Sequence, residues 1–195
     1  MAGIARDILA AAPARFALAG LSMGVSIALE LVRQAPARVT RLALLDGRAA
    51  LDDDETKANR RSYIEMARTG RFTEITRDHL LPRLIHPKRL ADRALVQTIL
   101  DMAEATGPEI FIRQETAILE RADYRPFLPE IRCPTLVLVG ADDAITPPPM
   151  AAEMAQAIAG ARLEIVADCG HLSTLERPAE TSALLDSWLR ALAGQ

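Results

Sequence analysis

The 195-residue sequence predicts an α/β fold, a mostly parallel sheet with helices on both faces, and three observations carry that prediction. Short apolar runs alternate along the chain with stretches of helical periodicity, the order that places strands side by side in parallel. The runs are apolar at consecutive positions rather than every second one, which is how strands covered on both faces read. Half of the residues (50%) are apolar, enough for one domain with a sizeable core.

Each element follows from the residues in turn. Ile4, Ile8 and Leu9 recur at helical spacing over residues 3–12, and Pro13 closes that helix. The run RFALAG (15–20) is a strand ending at glycine, and SMGVSIALELVRQAP keeps helical periodicity as far as Pro36. VTRLALLDG (39–47), CPTLVLVGADD (133–143) and ARLEIVADCGH (161–171) read as three further buried strands. The helices PMAAEMAQAIA and AETSALLDSWLRAL follow the last two. Residues 51–130 differ: they hold 13 of the 23 Lys and Arg and 15 of the 26 Asp and Glu, and read as a helical insertion between core segments 1–50 and 131–195. Its opening acidic run, Asp52 to Asp54, fits a solvated helix start, because no second ligand cluster accompanies it as a metal site would require.

Composition excludes several classes. A net charge of −3 and a pI near 5.7, without a basic block, give nucleic acid and anionic membranes nothing to bind. No apolar run approaches the roughly 20 residues of a bilayer span, and Arg6 and Asp7 interrupt any signal-like start, so a cytoplasmic protein is expected. Cys133 and Cys169 form no C-x-x-C pair and are read as buried small side chains in a reducing compartment. No G-x-G-x-x-G or P-loop calls for a cofactor, and no metal is expected.

One stretch carries chemistry. Gly20, Leu21, Ser22, Met23 and Gly24 satisfy G-x-S-x-G at a strand-to-helix turn, where a sharp, strained backbone pushes the serine hydroxyl clear of the sheet. Both glycines are expected to make room for that turn. A serine needs a base. His79 and His86 lie in the charged insertion with Pro82 between them, which weakens a shared metal site and suits solvated or helix-end roles. His171 follows the fourth strand in a loop that Gly170 is expected to loosen, at the carboxyl rim where parallel sheets place their sites. A carboxylate must then hold the imidazole in the right tautomer. Asp143 is the first choice, with Asp142 capping or solvating the turn, and Asp46 at the end of the second strand is a substitute.

Together these residues resemble the α/β-hydrolase family. GLSMG, LVLVGADDAITPP and CGHLSTLERP look like its nucleophile elbow, acid loop and histidine loop, and Ser22, Asp143, His171 follow its chain order. The resemblance extends over essentially the whole chain, with 51–130 falling where the family inserts a helical lid. It implies cleavage of a small-molecule carboxylic ester or lactone through an acyl-enzyme, with the Met23 N–H as an oxyanion donor. Tyr63, Ile64, Met66 and Phe72 are the candidate acyl-pocket residues. An acyltransferase on the same triad, or a noncatalytic remnant serving as a binding module, is the alternative. The sequence departs from the family at its start: about four strands that precede the elbow are lacking, and no H-G dipeptide supplies a second oxyanion donor. An N-terminally truncated core is therefore expected, with weakened turnover and an open edge on the strand at 15–20 through which chains could self-associate.

Overall fold

The structure, a computed structural model, describes residues 1–191. Strands β1 (Phe16–Leu21), β2 (Val39–Leu45), β3 (Thr135–Gly140) and β4 (Arg162–Val166) form one sheet in the order β1-β2-β3-β4. Each neighbouring pair is parallel; Ala19 lies opposite Ala43, Leu44 opposite Val137, and Val139 opposite Ile165. Helix α1 (Ala2–Ala11) precedes β1, and α2 (Met23–Gln34) joins β1 to β2. Between β2 and β3 come α3 (Asp54–Arg68), the short turns α4 (Phe72–Glu74) and α5 (Leu81–Leu84), and the long α6 (Arg93–Leu119). α7 (Pro148–Ala157) links β3 to β4, and α8 (Ser173–Glu176) and α9 (Pro178–Arg190) follow β4.

Alternation along the central strands explains the layering, because successive side chains point to opposite faces. Leu42 and Leu44 of β2, with Val137 and Val139 of β3, meet Val25, Leu29 and Val32 of α2 and Met154 of α7. Ala43, Leu45, Leu136 and Leu138 project to the other face against Trp188, Leu184 and Leu185 of α9. The expectation of two covered faces holds for β2 and β3, but not for the outer strands. Ala17 and Ala19 of β1 are exposed, as are Arg162 and Ile165 of β4, because these strands lie at the sheet's two edges. Arg38 anchors α1 to this core by donating to the carbonyls of Leu9, Ala12 and Pro13 at the helix C-terminal end, at 2.8, 2.8 and 2.6 Å.

The charged insertion is helical throughout its ordered elements, with two apolar clusters of its own, one around Ile85, Leu95 and Ile99 and one around Met66 and Ile75. α6 is broken within its length by Gly107, at φ 72°, and by Pro108. Pro82 is the second residue of α5, directly after a π-helical stretch over Ile75–Leu80, so the wider turn before it coincides with the N–H that proline lacks. No helix among the described residues is long and apolar enough to cross a membrane.

The two glycines of the elbow are not equivalent. A Cβ on Gly20 would stand 2.2 Å from the carbonyl oxygen of Gly24, whereas a Cβ on Gly24 would meet nothing within 4 Å. Crowding therefore acts at Gly20 alone, because Gly24 already lies in the first turn of α2 with open space around it. Gly20→Ala is expected to lower the unfolding free energy by about 1 to 3 kcal/mol. Gly24→Ala is expected to change it by less than about 1 kcal/mol, with guanidinium melts of the two variants reading the difference.

Candidate active site

Ser22 sits at the junction of β1 and α2 with φ 54° and ψ −115°, a backbone region non-glycine residues rarely occupy. Its N–H donates to the Leu45 carbonyl at 2.9 Å, extending the β1–β2 ladder by one bond. A serine at a helix N-cap ordinarily accepts from the helix's own N–H groups. Here the strained backbone turns the side chain away, and no such bond forms. The Oγ instead lies 2.8 Å from His171 Nε2. Met23, the first residue of α2, keeps an N–H with no intrahelical acceptor beside that hydroxyl.

His171 Nδ1 is 2.8 Å from Asp143 Oδ2, and the two side chains are almost wholly buried. Asp143 Oδ1 accepts from the N–H groups of Ile145 and Thr146, both at 2.8 Å, and Oδ2 accepts from the Thr146 hydroxyl at 2.8 Å. Burial pushes the Asp143 carboxyl up, but the hydrogen bond and charge of His171 and the two backbone N–H groups pull it below the ordinary carboxylate range. Asp142 points away from the imidazole and lies 3.5 Å from His86 Nε2.

Asp46, the other candidate, is fully buried at the end of β2 but serves the scaffold. It accepts from the Gly140 N–H at 3.1 Å and from both the N–H and the hydroxyl of Ser173. Desolvation raises its pKa to about 6 against the bond from Ser173.

The histidine loop is tied down rather than loosened. Gly170 is buried, and a Cβ on it would approach the backbone of Ile85 and His86 to 2.7 Å. The His171 N–H donates to the Leu84 carbonyl at 3.0 Å. Glu176, quoted above only as part of a motif, is buried and accepts from the N–H groups of Gly170 and His86 at 2.8 and 2.7 Å. No local pattern distinguishes it from a surface glutamate; its place in CGHLSTLERP is the only signal. His86 caps a helical turn, accepting from the Lys88 N–H at 3.0 Å, and His79 is exposed beside Tyr63. No cluster of three or more His, Cys, Asp or Glu side chains suited to a metal occurs among the described residues. Both cysteines are free; Cys169 is buried, with desolvation pushing its thiol to about 12, while Cys133 is only partly buried at the core margin.

A cavity of about 270 Å³ opens over Ser22 and His171, roofed by α3, α5 and α6. Tyr63 lines it together with Leu80, Leu84, Phe111 and Ile118. Ile64, Met66 and Phe72 are not among its lining residues. Met66 and Phe72 pack with Ile75 and Phe111, and Ile64 is buried, because on α3 only the face carrying Thr56, Asn59, Arg60 and Tyr63 meets the cavity.

Polar residues also line this space, which composition did not foretell. Asp52 is not a solvated helix start: its carboxylate is 2% exposed and pairs with Arg60 at 2.8 Å, Arg121 at 2.9 Å and Arg48 at 3.3 Å. Arg60 also pairs with Glu115 of α6 at 2.8 Å. Only Asp53, which caps α3 by accepting from the Thr56 N–H at 2.7 Å, and the exposed Asp54 behave as expected.

A parallel sheet whose C-terminal rim holds a strained serine, a histidine and a buried aspartate in one hydrogen-bonded line belongs to the α/β class of hydrolase folds. The model of the alpha/beta hydrolase family matches residues 2–184, and the chain belongs to that family, as a hydrolase. It is 29% identical over 187 residues to a pimeloyl-[acyl-carrier protein] methyl ester esterase of Neisseria meningitidis, covering 93% of this chain and 70% of the relative. A thermophilic esterase from Thermogutta terrifontis superposes with a TM-score of 0.86 at 33% identity, over 97% of this chain and 69% of that one. The enol-lactonase of Burkholderia xenovorans gives 0.82 at 30% identity, over 91% and 66%.

Two substitutions test the buried charges. Asp52→Ala leaves three guanidiniums facing one another and is expected to cost about 3 to 5 kcal/mol of stability in chemical melts. Asp46 has a folded pKa raised above the unfolded value, so the native state binds the extra proton between about pH 4 and 6, and stability falls as pH rises through that window. Wild type should therefore lose about 2 kcal/mol relative to Asp46→Asn between pH 4 and pH 7, read from melts at both.

Proposed function

We propose that the chain cleaves a small carboxylic ester or lactone through an acyl-enzyme, with Ser22 as nucleophile, His171 as general base and acid, and Asp143 as the group that orients the imidazole. The observation that supports this reading most is the continuous line Oγ–Nε2 and Nδ1–Oδ2, with both distances at 2.8 Å. The esterases and the lactonase among the similar proteins favour the same substrate class.

In the proposed reaction, Ser22 Oγ attacks the acyl carbonyl as its proton passes to His171 Nε2. Asp143 accepts from Nδ1–H, which fixes the tautomer that leaves Nε2 free to take that proton, and then stabilises the imidazolium. The carbonyl oxygen becomes an oxyanion beside the Met23 N–H at the positive end of α2. Collapse breaks the ester C–O bond, and His171 returns the proton to the leaving alkoxide. Water, deprotonated by His171, then attacks the acyl carbonyl and releases the acid and Ser22. Residues 51–130 act as a lid whose Tyr63 side bounds the acyl pocket.

A fluorophosphonate probe tests the assignment. Wild type should be labelled, and Ser22→Ala and His171→Ala should not; equal labelling of all three would end the proposal. Asp143→Asn, which keeps the shape but supports the wrong tautomer, is expected to lower ester turnover by about 10³- to 10⁴-fold.

A further inference from the structure

The hydrolase reading leaves the charged lining of the cavity unused. Over Ser22 and His171 the lining includes Arg48, Arg60 and Arg83 but a single carboxylate, Glu115. Behind the wall, Arg48, Arg60 and Arg121 surround Asp52, so three guanidiniums share the two carboxylates Asp52 and Glu115. One positive charge is left without a carboxylate of its own in contact; the exposed Asp53 acts on Arg48 only through its charge at longer range.

The excess falls on Arg48. Arg60 and Arg121 hold their carboxylates with hydrogen bonds of 2.8 to 2.9 Å. Arg48 reaches Asp52 only at 3.3 Å, and its Nη2 donates to the Ile145 carbonyl at 3.1 Å. A guanidinium has five N–H donors, and these contacts engage its two terminal nitrogens without filling their capacity. With its side chain 11% exposed, Arg48 has little water to replace the missing partners. The Ile145 contact holds it beside the acid loop, two residues beyond Asp143, on the wall of the space where substrate meets Ser22.

The geometry points to a substrate that carries a free carboxylate besides the bond to be cleaved, with Arg48 as its principal partner and the Arg60 and Arg83 charges alongside. This inference rests on the proposed hydrolase activity and names the substrate class of that same site. A carboxylate suits the planar fork of a guanidinium and supplies the anion the cluster lacks. Asp52 holds Arg60 and Arg121 closely and reaches Arg48 at 3.3 Å, so its single charge is divided among three arginines.

The test compares esters that differ only in whether a terminal group is a carboxylate or a methyl. Monomethyl glutarate, adipate and suberate are set against methyl pentanoate, hexanoate and octanoate, which places the charge on the acyl side. The acetyl ester of a terminal hydroxybutanoate set against butyl acetate places it on the alcohol side. In wild type, kcat/KM for the charged member of at least one pair should exceed that of its neutral partner by about ten- to hundredfold. Arg48→Met should cut that ratio at least tenfold, and Arg48→Lys should keep part of it. Added salt should lower the wild-type ratio.

Cleavage of the neutral esters, and its loss in Ser22→Ala, reports on the hydrolase reading independently of these ratios. Wild-type ratios near one in every pair would overturn the inference while leaving that reading intact. Binding gives a readout free of turnover: adipic acid monoamide should raise the melting temperature of wild type more than hexanamide does, and Arg48→Met should erase the difference. Equal shifts in wild type would overturn the inference as well.

Discussion

The site depends on backbone lying against backbone where the end of β3 meets the loop after β4. The Ala141 N–H donates to the Val166 carbonyl at 2.8 Å and the Asp142 N–H to the Cys169 carbonyl at 2.9 Å. That approach exists because Gly140 has no side chain: a Cβ there would stand 2.0 Å from the Gly170 oxygen and 2.4 Å from that of Cys169. Asp143 and His171, 28 residues apart in sequence, are carried into hydrogen-bond range by this contact. Glu176 holds the far side of the loop by binding two backbone N–H groups, so the imidazole is positioned from both directions.

Two buried aspartates on the same rim show how environment shifts one residue type in opposite directions. Asp143 receives two backbone N–H bonds, a hydroxyl and the imidazole, and these outweigh its desolvation. Asp46 receives the Gly140 N–H and the two donors of Ser173, and its desolvation prevails. The difference lies in the number of donors and in the direct hydrogen bond with His171, which Asp143 has and Asp46 lacks. Asp46 also takes a positive φ of 46°, as Ser22 does at 54°, so strain gathers where β1 and β2 end. The parallel ladder between these strands and the packing of α2 on the sheet hold both residues in place.

The segment between β2 and β3 joins the core through charge as well as through apolar contact. Asp52 links the loop after β2 to α3 through Arg60 and to the end of α6 through Arg121, with Glu115 closing the circuit. This network forms a cavity wall richer in cations than anions above Ser22 and His171. Apolar side chains such as Tyr63, Phe111 and Ile118 complete the lining.

The sequence by itself determined the alternation of strands and helices, the position of the elbow and the order Ser22, Asp143, His171, because each is written in contiguous residues: an apolar run, a glycine-bounded turn, a short loop motif. Only tertiary structure brought Asp143 rather than Asp46 within hydrogen-bond distance of His171, showed that Gly20 is crowded and Gly24 free, and made Gly170 a point of close packing instead of a loosening of the loop. It alone turned Asp52 from a surface charge into a buried hub, and of the four candidate pocket residues on α3 and α4 it placed only Tyr63 on the cavity. Each of these outcomes depends on a partner far along the chain, such as Arg121, 69 residues from Asp52. Periodicity registers which face of a helix is apolar, but a buried ion pair and a backbone-to-backbone approach leave no periodic trace.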